Sequence, residues 1–164
     1  MTVVVADTSP LNYLVLIESI DVLPRLYRRI VIPQEVFSEL TDPDAPRPVW
    51  EWARTPPDWL EIRSAPAGND PALFHLDPGE RSAIVLARSE GDALLLIDEA
   101  AGRLEASRRG IANTGTLGVL RAAALADLVD LRSALARLRS TNFRISQSLV
   151  DDLLAQDAER EPKR

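Results

Sequence analysis

Three short apolar runs limit this fold more than any other feature: TVVVA at residues 2–6, IVIP at 30–33 and ALLLI at 93–97. None alternates apolar with polar residues. A strand of that kind is buried on both faces, as strands are in a parallel sheet beneath crossover helices. Helix-patterned segments lie between and after the runs. SPLNYLVLIESI reads as a helix with Ser9 as N-cap and Pro10 at its first position. DVLPRLYRR reads as a short helix, PQEVFSEL as a helix opened by Pro33, DPGERSAIVLARSEG as a well-marked helix, and EAAGRLEASRRG as one closed by Gly110. WLEIRSA is expected as an edge strand and IANTG as a further short strand. Helices follow around 116–127, 130–139 and 146–157, before a charged tail at 158–164. The alternation predicts a parallel sheet covered on both faces, with residues 1–157 forming one domain.

Composition narrows the chemistry. The chain has no cysteine, one histidine (His75) and one lysine (Lys163, in the tail). Disulfides, thiolate metal sites, multi-histidine centres and a P-loop lysine are excluded. Any catalytic metal must be held by oxygen, which points to Mg²⁺ or Mn²⁺. No run approaches the ~18–20 apolar residues that span a bilayer. With no basic leader at the N-terminus, the protein is expected in the cytoplasm, away from membranes. The formal charge of −6 is unevenly spread. Residues 1–98 carry 8 Arg against 16 acids, whereas residues 99–144 carry 8 Arg against 4 acids. An acidic site beside an arginine-rich region suits a phosphate substrate, although a solvated helix surface has the same composition. Seven of the 12 prolines and all three tryptophans fall in residues 41–73, read as an irregular flap with one short helix. The tryptophans there are expected to pack locally.

Four acids are placed where they can meet. Asp7 and Asp98 follow the first and third apolar runs, at the carboxyl ends of strands, where open parallel sheets form their sites. Glu39 lies at the edge of the apolar stripe of its helix, with Glu35 one turn earlier as a rival. Glu80 precedes Ala83, Ile84 and Ala87 by three, four and seven residues, so it shares the helix face that packs on the sheet. Each has a structural alternative. Asp7 and Asp98 suit helix caps, Glu39 suits a solvated helix surface, and Asp77, Pro78 and Glu80 suit a capping-box-like start. Converging carboxylates repel and raise one another's pKa values, and a divalent cation removes that penalty. The implied chemistry is metal-assisted phosphodiester hydrolysis, in which a second ion about 3.5–4 Å away can stabilise the leaving oxygen. Thr8 or Ser9 is placed to hold a water or phosphate beside Asp7. Arg103 is a candidate phosphate contact or a surface ion pair. His75 reads as a polar loop residue. TGTLG at 114–118 lacks dinucleotide-binding spacing, so Gly115 and Gly118 are expected to serve a turn and close helix packing.

The segments VVADTSPLNYL, VIPQEVFSEL, LDPGERSAIVLA and LLIDEAAGRLEASRRGI, followed by TGTLGVL, resemble a PIN domain. They are most similar to the branch whose N-terminus reads D-T-S-P-L. The likeness covers roughly residues 2–125, and the last forty residues match only loosely. It implies an α/β/α sandwich with a parallel sheet of four or five strands. It also implies a Mg²⁺- or Mn²⁺-dependent endoribonuclease, often a toxin of the VapC type held by a small antitoxin. The family's acidic quartet falls on Asp7, Glu39, Glu80 and Asp98, with Glu99 and Asp77 as alternates, and its neighbouring hydroxyl on Thr8. Two departures stand out. Glu80 replaces a more usual Asp, and the last segment lacks the Thr-rich ending common in toxins. A PIN-fold binding module with weak or no nuclease activity is the alternative. The arginine-rich helices or the flap would receive an antitoxin, and the apolar helices after residue 116 would support a homodimer.

Overall fold

The computed structural model describes residues 1–67 and 70–160. Positions 68 and 69 of the expected flap, and the tail from 161 with Lys163, lie outside the described residues. Five parallel strands form one sheet: β1 (Val3–Ala6), β2 (Ile30–Pro33), β3 (Leu60–Arg63), β4 (Ala93–Leu96) and β5 (Ala112–Thr114). Their order is β3-β2-β1-β4-β5, so WLEIRSA and IANTG supply the two edges. The most apolar runs occupy the three central places because only there are both faces covered.

The helices are α1 (Thr8–Leu16), α2 (Val22–Tyr27), α3 (Gln34–Leu40), α4 (Arg47–Arg54), α5 (Pro78–Glu90), α6 (Ala100–Arg108), α7 (Thr116–Leu125), α8 (Leu131–Arg139) and α9 (Gln147–Glu159). Alternate strand residues feed two cores, as the two-residue period of a strand demands. Val5, Leu95 and Ile97 face α5 and α6, where they meet Ala83, Ile84, Ala87 and Ala106. Val4, Ala6, Ile32 and Leu96 face the other layer, which includes Leu11, Leu14, Val36, Leu120 and Leu135. The result is a three-layer α/β/α sandwich.

The proline-rich stretch contains the short helix and the edge strand expected in it. It carries α4 and β3, and Trp52 and Trp59 pack with ring centroids 5.9 Å apart. The helix α1 also starts earlier than its sequence suggests. Asp7 takes the N-cap backbone position and Thr8 the first turn, so Pro10 sits third. Proline is tolerated there because the first-turn N–H groups have no intrahelical partner. Ser9 is therefore not a cap, and its hydroxyl is free for another role. In the same way Glu99, not Asp98, holds the N-cap position of α6, and α9 continues two residues beyond 157.

The chain runs outward from β1 to β2 and β3, then crosses back to β4 and β5. The strand order thus reverses between β1 and β4. Ala6 pairs with Leu96, and the Asp7 N–H donates to the Leu96 carbonyl at 2.9 Å. A crevice forms at the carboxyl ends of strands where such an order reverses.

Candidate metal centre

That crevice is a cleft of about 540 Å³, lined by Asp7, Thr8, Ser9, Glu39, Asp77, Glu80, Asp98 and Glu99 among others. All four acids singled out in the sequence reach it, together with both alternates. One carboxylate oxygen from each of Asp7, Glu39 and Asp77 lies within 4.8 Å of the others. Asp77 thus joins the tightest group. It is also the N-cap of α5, where its Oδ1 accepts the Glu80 N–H at 2.8 Å.

Asp7 is the most buried of the set, at 4% exposure, and its Oδ1 has no hydrogen-bond partner. A buried carboxylate oxygen left without a partner makes the ionised form costly in such a place. Burial pushes its pKa well above the usual range. A backbone hydrogen bond involving Thr8 opposes the shift, and the charges of Asp77, Glu80 and Glu39 add to it. Its position on β1 explains the burial, since the preceding residues run through the centre of the sheet.

Glu39 is held by two donors. The Thr8 hydroxyl donates to Oε2, and the Gly79 N–H donates to Oε1 at 3.0 Å. Burial raises its pKa, Thr8 and Gly79 oppose the rise, and the charges of Asp77 and Glu35 add to it. Gly79 leaves room for Glu39 in this position, because a Cβ here would lie 2.5 Å from Glu39 Oε1. Glu80, 7% exposed, has its pKa raised to about 7. Burial is the main cause, followed by the charge of Asp77 and a side-chain hydrogen bond with it.

Asp98 is held differently. Its Oδ1 accepts the Thr116 N–H at 2.7 Å. Its Oδ2 accepts the Thr116 hydroxyl at 2.7 Å and the Ser9 hydroxyl at 2.8 Å. Instead of capping α6, Asp98 ties the start of α7 to the start of α1. Gly115 has extended backbone angles that any residue adopts. Its role is space, since a Cβ there would meet Asp98 Oδ1 at 2.6 Å. Gly118 likewise lets Thr114 Oγ1 approach α7.

The remaining candidates separate. Glu99 lines the cleft from its exposed rim. Glu35 turns away, into a second hollow of about 750 Å³ beside α5. Arg103 is exposed and donates to Asn113 Oδ1 at 3.4 Å, so it lies on the surface and not in the cleft lining. His75 is exposed.

Sequence reasoning missed one side of the cleft. Asn12 and Tyr13 of α1 line it, with Asn142, Phe143 and Arg144 from the connection between α8 and α9. The Tyr13 hydroxyl donates to Asn142 Oδ1 at 2.7 Å, and its ring meets Phe143 edge-on with centroids 4.9 Å apart. Tyr13 sits one turn after Ser9, the only hint in the sequence that it faces the same way.

The donor set suits a hard cation. All the converging atoms are carboxylate oxygens, Mg²⁺ and Mn²⁺ prefer such ligands, and the unpartnered Asp7 Oδ1 is an atom that a cation would satisfy.

An all-parallel α/β/α sandwich with clustered acids at the strand-order reversal is the arrangement of a PIN domain. A family model described as a PIN domain (DUF3368) matches residues 3–159, and the chain belongs to that family. The match includes the last helices, where the sequence resemblance was loose. No curated protein matches the chain. PIN domains are generally nucleases and typically bind divalent metal. No helix among the described residues is long and apolar enough to cross a membrane.

Proposed function

We propose that this protein is a Mg²⁺- or Mn²⁺-dependent endoribonuclease that hydrolyses RNA phosphodiester bonds. The observation carrying the proposal is the group formed by Asp7, Glu39 and Asp77, whose oxygens lie within 4.8 Å around a buried Asp7 oxygen that has no partner. Asp7, Glu39 and Asp77 would hold the cation, with Glu80 and Asp98 beside them. When bound, the cation supplies Lewis acidity toward a phosphate oxygen and lowers the pKa of a water.

The chain's own residues do the rest. Thr8 and Gly79 fix both oxygens of Glu39, so its carboxylate is oriented before any ligand arrives. Ser9 and Thr116 fix Asp98 in the same way. Burial and the Asp77 charge raise the Glu80 pKa to about 7 in the cation-free cleft, so its carboxylate is one of the groups that a cation would relieve. The buried floor of the cleft keeps these charges in a low-dielectric setting, where their interactions are stronger than in water.

The reading takes residues 1–157 as one PIN-like unit acting in the cytoplasm. The likeness to the D-T-S-P-L branch supports a toxin-like role with a small antitoxin as partner. A homodimer through the last helices belongs to the same reading.

The test is incubation of purified protein with mixed RNA in Mn²⁺ or in EDTA, alongside Asp7→Asn and Asp98→Asn. Cleavage confined to wild-type protein with metal is expected. RNA binding without cleavage would instead favour a PIN-fold binding module. Cleavage that survives both chelator and substitution would overturn the mechanism.

A further inference from the structure

The acidic cleft has a basic exit. Beside it lies a second hollow of about 490 Å³, lined by Arg139, Phe143, Arg144, Ile145 and Ser146. The two hollows share Phe143 and Arg144. Arg144 is the one cation among the described residues lining the cleft, which six carboxylates also line. Arg139 continues the positive charge into the second hollow, where its guanidinium donates to Gln147 Oε1. Phe143 is half-buried against the core, Tyr13 packs edge-on with it and donates to Asn142, and its remaining surface lines both hollows.

We infer that Arg139, Phe143 and Arg144 form a track that holds an unpaired RNA strand beside the acidic cleft. The inference rests on the nuclease reading of that cleft and adds the direction in which the substrate runs. Carboxylates repel a polyanion, so cations beside the cleft favour its approach. Arg144 and Arg139 are two phosphate contacts on one side. Phe143 lines the same hollow as the two arginines, its ring held against Tyr13, as in sites where aromatic side chains stack unpaired bases. A duplex keeps its bases stacked on one another and cannot use that ring. The track lies at the end of α8 and in the connection to α9, and Tyr13 of α1 braces it from the cleft side.

The experiment measures binding of a labelled 12-nucleotide single-stranded RNA by fluorescence anisotropy with Ca²⁺, and cleavage of the same RNA with Mn²⁺. Arg144→Gln is expected to weaken binding at least about 5-fold. It should also lower the slope of log K against log salt by about 0.7, the value for one phosphate contact to a single strand. Phe143→Leu is expected to weaken binding by a similar factor, and Phe143→Tyr to restore it. In cleavage the loss should appear in KM with kcat little changed. Melting temperatures separate loss of contact from loss of fold, and Arg139→Gln, at an exposed position, gives a second charge variant.

Metal-dependent cleavage with Kd and KM unchanged in Arg144→Gln, Arg139→Gln and Phe143→Leu would overturn the track and leave the nuclease reading intact. Weakened binding in these variants of a protein that never cleaves would support the track and remove the nuclease reading. Equal competition by duplex RNA would overturn the inference.

Discussion

The Gly79 N–H donates to Glu39 Oε1 at 3.0 Å, and a Cβ on Gly79 would stand 2.5 Å from that same oxygen. One residue therefore both orients an acid and leaves room for it. A Gly79→Ala substitution keeps the N–H but forces the Glu39 carboxylate to move. Mn²⁺ affinity is expected to fall about 10–100-fold, the usual effect of disturbing an outer partner of a ligand. Isothermal titration measures it, and an unchanged affinity would show that Glu39 does not hold the cation.

Asp7→Asn separates stability from function. The carboxylate at position 7 is buried with an unpartnered oxygen among like charges. Neutralising it should stabilise the cation-free protein at pH 8 by about 1–3 kcal/mol. The same change should abolish Mn²⁺ binding and cleavage. Denaturant titration in EDTA checks the first effect. A less stable variant would show that the charge is compensated by a partner.

The raised pKa of Glu80 sets a pH window. Its value of about 7 in the folded protein lies above the ordinary 4.5, so the folded state binds more protons than the unfolded one between those limits. Stability conferred by this group is complete below pH 4.5 and is lost as pH rises towards and through about 7. Asp7 and Glu39 shift in the same direction. In EDTA the melting temperature attributable to these acids should therefore fall from pH 5 to pH 8. Added Mg²⁺ or Mn²⁺ should raise it more at pH 8 than at pH 5, because the cation competes with protons. Scanning calorimetry at the two pH values reads both effects.

Thr116 is fully buried and gives both its N–H and its hydroxyl to Asp98. Thr116→Val keeps the volume and removes only the hydroxyl donor. A loss of about 1.5–3 kcal/mol is expected, as for a hydrogen bond to a charged group. Ser9→Ala removes the other donor to the same oxygen, Oδ2. The two substitutions should be non-additive in a double-mutant cycle, since they share one acceptor. Simple additivity would mean that Asp98 is held by other contacts.

Much of this centre is legible before folding. Asp7 and Asp98 end apolar runs too short and too continuous for anything but central strands, and the carboxyl ends of such strands share one edge. Glu80 lies on a helix face whose other members are Ala83, Ile84 and Ala87, so it had to point towards the sheet. Other details depend on geometry. Asp77 and Glu80 are one helical turn apart at the start of α5, and sequence spacing brings both near the cleft. Only the packing of α3 against α5 makes Asp77 the third member of the tight group with Asp7 and Glu39. Ser9 reads as a cap until the helix is seen to begin at Thr8, which turns its hydroxyl towards Asp98.

By itself the sequence determined the parallel α/β/α class, the order of its acids and the oxygen-only chemistry. These depend on local quantities: apolar continuity, helical period and the absence of cysteine and of a second histidine. Tertiary structure alone decided which oxygens share a cation-sized space, and it brought Asn142, Phe143 and Arg144 to the rim. Tyr13 and Asn142 are 129 positions apart, and no periodicity links residues at that separation. Their meeting depends on how α7 packs on α1 and how α8 and α9 pack in turn on α7. That packing is set by the summed burial of many side chains and not by any motif.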